Sequence, residues 1–93
     1  MSTVCRKCLV SGRVQGVFYR ATAAQFARQF GITGYAKNLL DGRVELLACG
    51  EEDSLRRFIE ALWTGSSGSK VIAVDVSDCE VPSGGAPKGF TTG

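Results

Sequence analysis

At 93 residues the chain can bury one core of its own, and a hydrophobic share of 44% beside 22% charged residues is ordinary for a globular domain. Eleven basic against nine acidic residues leave a net charge of +2, too balanced for a nucleic-acid surface, so any anion recognition must be local. No run approaches the roughly 18 apolar residues of a membrane span. Histidine is absent, so chemistry near neutral pH must use a shifted carboxylate, thiol or lysine, or else need no protein base.

The first residues, Met1-Ser2-Thr3-Val4-Cys5-Arg6-Lys7, lack the apolar core of a secretion signal, which makes the cytoplasm the expected compartment. Val4 to Ser11 is predicted as a strand ending at Gly12, with Cys8 and Val10 on one face and Arg6 at that face's frayed end. Gly12-Arg13-Val14-Gln15-Gly16-Val17-Phe18-Tyr19-Arg20 then forms a short turn bounded by glycine and leading into an alanine-rich helical pattern. Its backbone can close tightly and aim successive N–H groups at one point, towards which the free N–H groups and positive dipole end of the following helix also face. An arginine is mildly unfavourable in a first helical turn unless an anion sits beside it, so Arg20 marks the loop as an anion cradle. The bland alternative is a loop that only turns the chain, with Arg20 solvated. The Lys-Ser/Thr ending of a Walker loop and the Gly-x-Gly-x-x-Gly spacing are both missing, which disfavours nucleotide binding.

Tyr19 to Phe30 is predicted as a helix: Ala23, Phe26, Ala27 and Phe30 recur at helical spacing as core, and Gly31 supplies the stop. Thr33 to Leu39 reads as a second strand and Arg43 to Cys49 as a third, joined by an Asp41-Gly42 hairpin. Ser54 or Asp53 is expected to cap a second helix whose buried stripe is Leu55, Phe58, Ile59, Leu62 and Trp63. Gly65-Ser66-Ser67-Gly68-Ser69 reads as a flexible connector. A fourth strand runs from Val71 to Val76 with Ile72, Val74 and Val76 on one face, before a turn-rich Pro82 to Gly89 and a short segment anchored by Phe90. The order β-α-β-β-α-β, with right-handed crossovers, predicts an α+β ferredoxin-like sandwich over residues 1–93: a four-stranded antiparallel sheet with two helices on one face. The loop after the first strand and Asn38, near the end of the parallel second strand, then come to the same side. For Asn38 alone, a turn-capping role is the simpler reading.

The stretch Gly12 to Arg20 resembles the signature of the acylphosphatases, small enzymes that hydrolyse the carboxyl–phosphate anhydride. Gly34-Tyr35-Ala36-Lys37-Asn38-Leu39-Leu40-Asp41-Gly42-Arg43-Val44-Glu45 resembles that family's other signature at the expected separation, and the likeness runs from about Val4 to Ala61. The resemblance implies that Val14, Gln15, Gly16, Val17, Phe18, Tyr19 and Arg20 bind phosphate, that Arg20 holds the phosphoryl group and that Asn38 orients the attacking water. It implies no metal and no cofactor, a small-molecule acyl phosphate as substrate, and neither a nucleic-acid nor a membrane partner. A monomer is expected. Departures are Tyr19, where the family usually has phenylalanine and whose hydroxyl needs a partner if buried, Ala21, and Thr91-Thr92-Gly93, which leaves a full last edge strand open. The alternative is a ferredoxin-like anion-binding or regulatory module without turnover. RNA binding on the open sheet face is weaker still, because Lys7, Leu9, Glu45 and Leu47 offer no stacking platform.

Four cysteines remain. Cys5-x-x-Cys8 invites a zinc reading, but positions three apart on a strand face opposite ways. Cys8 is expected as a buried thiol. Cys5 should lie beside Cys49 on the antiparallel neighbour and Cys79 on its other side; a reducing compartment favours free thiols, and a Cys5–Cys49 disulfide stays open.

Overall fold

The computed structural model describes residues 3–82 and 84–92; Met1, Ser2, Ser83 and Gly93, the last belonging to the atypical C-terminal end noted above, lie outside the described residues. The elements are β1 (Val4–Arg13), α1 (Tyr19–Phe30), β2 (Thr33–Asn38), β3 (Val44–Gly50), α2 (Glu52–Thr64), β4 (Lys70–Cys79) and β5 (Phe90–Thr91). The sheet order is β4-β1-β3-β2-β5. The first four strands make the expected antiparallel ferredoxin-like sheet, and β5 adds a small fifth strand that pairs parallel to β2 through Gly34–Phe90 and Tyr35–Thr91. Phe90 explains the addition. Its ring meets Phe58 of α2 edge-on at 5.9 Å between centroids, and Gly34 N–H donates to the Gly89 carbonyl at 2.9 Å, so the chain's last described turn is drawn along the β2 edge.

Ala23 and Ala27 of α1 and Leu55, Phe58 and Leu62 of α2 bury against Cys8, Val10, Ala36, Val44, Leu46 and Ala48 of the sheet. The helical period therefore produces the core predicted for it, with two adjustments. Phe26 and Phe30 sit at its half-buried rim, because alanines rather than phenylalanines face the sheet squarely. Trp63 is 50% exposed at the margin of the α2 stripe, so it is not a core residue.

Gly31 ends α1 in the left-handed region, φ 70°, and its N–H bonds the Ala27 carbonyl, as predicted. The α2 cap is Glu51, not Ser54 or Asp53, and no side chain caps it. Asp53 instead lies in the first turn, where its charge complements the helix dipole and meets Arg56 at 2.9 Å.

Strand β4 shows why strict alternation fails at this edge. The β1–β4 register shifts between Ser11 and Gly12, so Val71 pairs with Gly12 and Ala73 with Ser11, leaving Ile72 as the extra residue of a bulge. The bulge reverses the side-chain parity. Val71 and Val74 pack on the core while Ile72 is turned out at 70% exposure, and Val76 is left partly open at the strand's far end. Gly12 is required here, because a Cβ at that position would collide with the Lys70 carbonyl oxygen.

On the other face of the sheet Cys5 and Cys49 are cross-strand partners joined by a disulfide, Cα–Cα 4.1 Å. Cys79 takes the register position on the far side of Cys5, and Leu47, Tyr35 and Ala86 complete this small cluster. Cys8 points the opposite way, into the main core, as strand parity requires, and burial pushes its thiol up to about 11. Among the described residues no three histidine, cysteine or acidic side chains gather closely enough to hold a metal. On the outer face the Tyr35 ring is already engaged: its hydroxyl donates to Glu45 Oε2 at 2.9 Å, and Lys37 pairs with the same oxygen at 3.4 Å.

The disulfide closes a loop between residues 44 apart in sequence, at the sheet end remote from the β1–α1 loop. Cys5→Ser is expected to leave catalytic rates within about twofold and to lower the melting temperature of the oxidised protein by about 10 °C or more, from the loop entropy restored to the unfolded chain. A calorimetric scan beside a turnover assay checks both. A folded Cys5→Ser protein without activity would place the thiol in the machinery of the site.

Candidate active site

Residues 14–20 run from the end of β1 into α1 and are anchored by alternating side chains. Val14 and Tyr19 are buried at 1% and 2% exposure, Val17 packs partly on the core, and Gly16 and Phe18 are exposed. The Tyr19 hydroxyl, the family departure that needed a partner, donates to the Leu62 carbonyl of α2 at 2.7 Å. Desolvation holds its ionisation well above the ordinary tyrosine range, so it is a neutral donor.

Gly16 and Phe18 both adopt positive φ, 74° and 59°, on either side of Val17, which is not among the positive-φ residues. Alternating hand is the pattern by which consecutive backbone N–H groups form an anion-binding concavity. The carbonyls are drawn away from it. Ser66 Oγ donates to the Val17 carbonyl at 2.6 Å, and Thr22 N–H donates to the Phe18 carbonyl at 3.0 Å as the first helical bond. The 65–69 connector is thus a hydrogen-bonded buttress rather than a slack linker: Ser69 donates to the Ser66 carbonyl through both N–H, at 3.0 Å, and Oγ, at 2.7 Å.

Helix α1 has neither a side-chain cap nor an acidic residue in its first turn, which leaves its free N–H groups and positive dipole end uncompensated. Arg20 adds a guanidinium in that turn. Its Nη1 donates to the Thr92 carbonyl at 2.7 Å, so the C-terminal segment after β5 steadies the arginine head group.

Asn38 is the last residue of β2 and is exposed; among the described residues its carboxamide makes no hydrogen bond. The turn that follows is built without it. Asp41 accepts from Arg43 N–H at 3.0 Å and Arg43 Nε at 2.8 Å, Leu39 N–H donates to the Arg43 carbonyl, and Gly42 takes φ 94°. Asp41 is hairpin chemistry, as its sequence context indicated. Gln15 ties the two halves together: its Nε2 donates to the Leu39 carbonyl at 2.8 Å and the Arg43 carbonyl at 3.0 Å. The side chain of Gln15 therefore faces the hairpin, a role its place in the motif did not disclose.

One cleft of about 300 Å³ results, and Gly16, Phe18, Tyr19, Arg20, Asn38 and Thr92 are among the residues lining it. Arg20 and Asn38 come from different segments, and parallel β1 and β2 deliver them to the same opening. Thr92 and Ser66 are the contributors that no local signal announced, since each acts through a contact spanning most of the fold.

The acylphosphatase family model matches residues 6–92. The chain belongs to the acylphosphatase family. An acylphosphatase of Chromohalobacter salexigens is 47% identical over 78 residues, covering 84% of this chain and 87% of that one, and an acylphosphatase of Halorhodospira halophila is 44% identical over 87 residues, covering 94% and 91%. The crystal structure of acylphosphatase from Bacillus subtilis superposes with a TM-score of 0.89 at 37% identity, over 97% of this chain and 98% of that one. The likeness thus extends beyond the two signature segments into α2, β4 and β5, where the sequence resemblance thins. It makes the acylphosphatase reaction the frame for the cleft's chemistry.

Proposed function

We infer that this protein is an acylphosphatase, hydrolysing the carboxyl–phosphate bond of a small-molecule acyl phosphate to a carboxylate and inorganic phosphate. Within that activity, the proposal assigns the phosphoryl group to Arg20 and the backbone N–H groups of Val14 to Arg20, and the attacking water to Asn38. The observation that carries it is that one cleft is lined by both Arg20 and Asn38, whose carboxamide bonds nothing among the described residues, above a loop of alternating hand. A turn-capping role for Asn38 loses its support, because Asp41, Gln15 and the backbone already satisfy that turn.

Arg20 and the loop donors neutralise the phosphoryl oxygens, whose charge is redistributed in the transition state. The Asn38 carboxamide offers an acceptor and two donors, enough to hold a water in line with the scissile bond. The water oxygen bonds phosphorus, the phosphorus–oxygen bond to the acyl group breaks with its electron pair, and that pair leaves on the carboxylate. The water's proton passes to a phosphoryl oxygen or to solvent. A carboxylate is a good leaving group that needs no general acid, which suits a chain without histidine. Positioning and electrostatics supply most of phosphoryl-transfer catalysis, so no protein nucleophile is required.

The proposal takes residues 1–93 as one domain, acting as a monomer, without metal, in the cytoplasm. No helix among the described residues is long and apolar enough to cross a membrane. In a reducing compartment the Cys5–Cys49 pair would be held as thiols. Phosphate release from acetyl or benzoyl phosphate tests the reading: turnover above the spontaneous rate, unchanged by a chelator, is expected. No turnover would favour an anion-binding module, and turnover lost to the chelator would sink the metal-free route.

A further inference from the structure

Phe18 is costly in two ways at once. Its ring is 84% exposed, and its backbone sits at φ 59°, ψ 23°, a left-handed conformation that bulky residues avoid and that glycine or asparagine adopts with little strain. The conformation itself has a reason, since the alternation of hand at Gly16, Val17 and Phe18 shapes the cradle. That reason concerns only the backbone and calls for no aromatic side chain.

The residue nevertheless has a place beside the cleft. Phe18 lines the cleft that holds Arg20 and Asn38, while the neighbouring inward positions of the loop are already filled by Val14, Val17 and Tyr19. A cleft of about 300 Å³ has room for roughly ten waters at about 30 Å³ each, so a phosphoryl group and one attacking water leave space unfilled. Of the other lining residues Val14 and Tyr19 are buried, and the rest, such as Gly16, Arg20 and Asn38, are small or polar. A substrate bound by its phosphoryl group must project its acyl part out of the cradle, and the one large apolar surface among these residues is the Phe18 ring.

We propose that Phe18 is a specificity-determining residue, its ring covering the apolar acyl group of the bound substrate and so favouring aromatic or long-chain acyl phosphates over acetyl phosphate. This rests on the assignment of the cleft to the reaction. Strain held at a functional position is the expected sign of such a role, and the aromatic face offers a flat acyl group both apolar burial and stacking. Stacking of this kind is worth a factor of about two to ten.

The test is the ratio of kcat/KM for benzoyl phosphate to that for acetyl phosphate, in the wild type, Phe18→Asn and Arg20→Gln. Asparagine tolerates the left-handed backbone, so Phe18→Asn removes the ring while keeping the loop's conformation, and its melting temperature should not fall. The proposal predicts that the ratio drops about fivefold in Phe18→Asn, chiefly through KM for benzoyl phosphate. An unchanged or increased ratio overturns it, since equal losses on both substrates would mean that the ring serves the cradle and not the acyl group. Arg20→Gln separates the two levels. If it abolishes turnover of both substrates while the Phe18→Asn ratio stays at the wild-type value, the cleft assignment stands and the role of Phe18 alone fails. If Arg20→Gln turns over both substrates normally, the reaction lies elsewhere and the proposal falls with the assignment.

Discussion

Arg20→Gln is expected to lower kcat/KM for any acyl phosphate by about a thousandfold or more, and to weaken inhibition by inorganic phosphate in parallel. Arginines that stabilise a transferring phosphoryl group contribute effects of that size, because the charge they offset is concentrated in a preorganised site. Glutamine keeps a polar donor on a shorter side chain and removes the cation. It also loses the hydrogen bond that Arg20 Nη1 makes to the Thr92 carbonyl, an exposed contact whose removal should cost about 1 kcal/mol at most. The fold should therefore survive, which circular dichroism and a melting curve establish before rates are compared. A folded Arg20→Gln protein that bound phosphate and turned over like wild type would show that the guanidinium is only the partner of Thr92.

The role of Thr92 makes the C-terminal end part of the site's support, and it illustrates where local reading stops. Helix α1 was legible because the spacing of Ala23 and Ala27 and the Gly31 stop lie within one element, and the β2–β3 hairpin because Asp41-Gly42 sets its own geometry. The opposition of Cys5 and Cys49 followed from strand order alone. The outward turn of Ile72 did not, because a bulge is decided by how two strands meet and not by the alternation within either.

Long-range side-chain contacts were equally silent. Ser66 and Gln15 are ordinary polar residues until the fold brings Ser66 to the Val17 carbonyl and Gln15 to the hairpin carbonyls at Leu39 and Arg43. The parallel pairing of β5 depends on Phe90 finding Phe58 across the domain, and a two-residue strand has no periodicity to read. Arg20 and Asn38, by contrast, could be brought to one side from topology, since parallel β1 and β2 finish at the same end of the sheet; their shared cleft agrees with that expectation.

Asn38→Ala is expected to reduce kcat by about a hundredfold, roughly the cost of removing one preorganised polar group from a transition state. The mechanism gives this variant a profile opposite to that of Arg20→Gln in one respect. In the proposed mechanism Asn38 holds the water and not the phosphoryl oxygens, so binding of the product anion should survive its loss. Structural damage should be slight, because the Asn38 carboxamide bonds nothing among the described residues and Gln15 and Asp41 hold the neighbouring turn. Melting behaviour close to wild type is part of the expectation.

The inhibition constant for inorganic phosphate, measured on folded Asn38→Ala beside its kcat, tests the division of labour in this cleft most directly. The account predicts a constant within about twofold of wild type while kcat falls by about two orders of magnitude. An Asn38→Ala enzyme that turned over like wild type, or one whose phosphate affinity collapsed together with its rate, would contradict it.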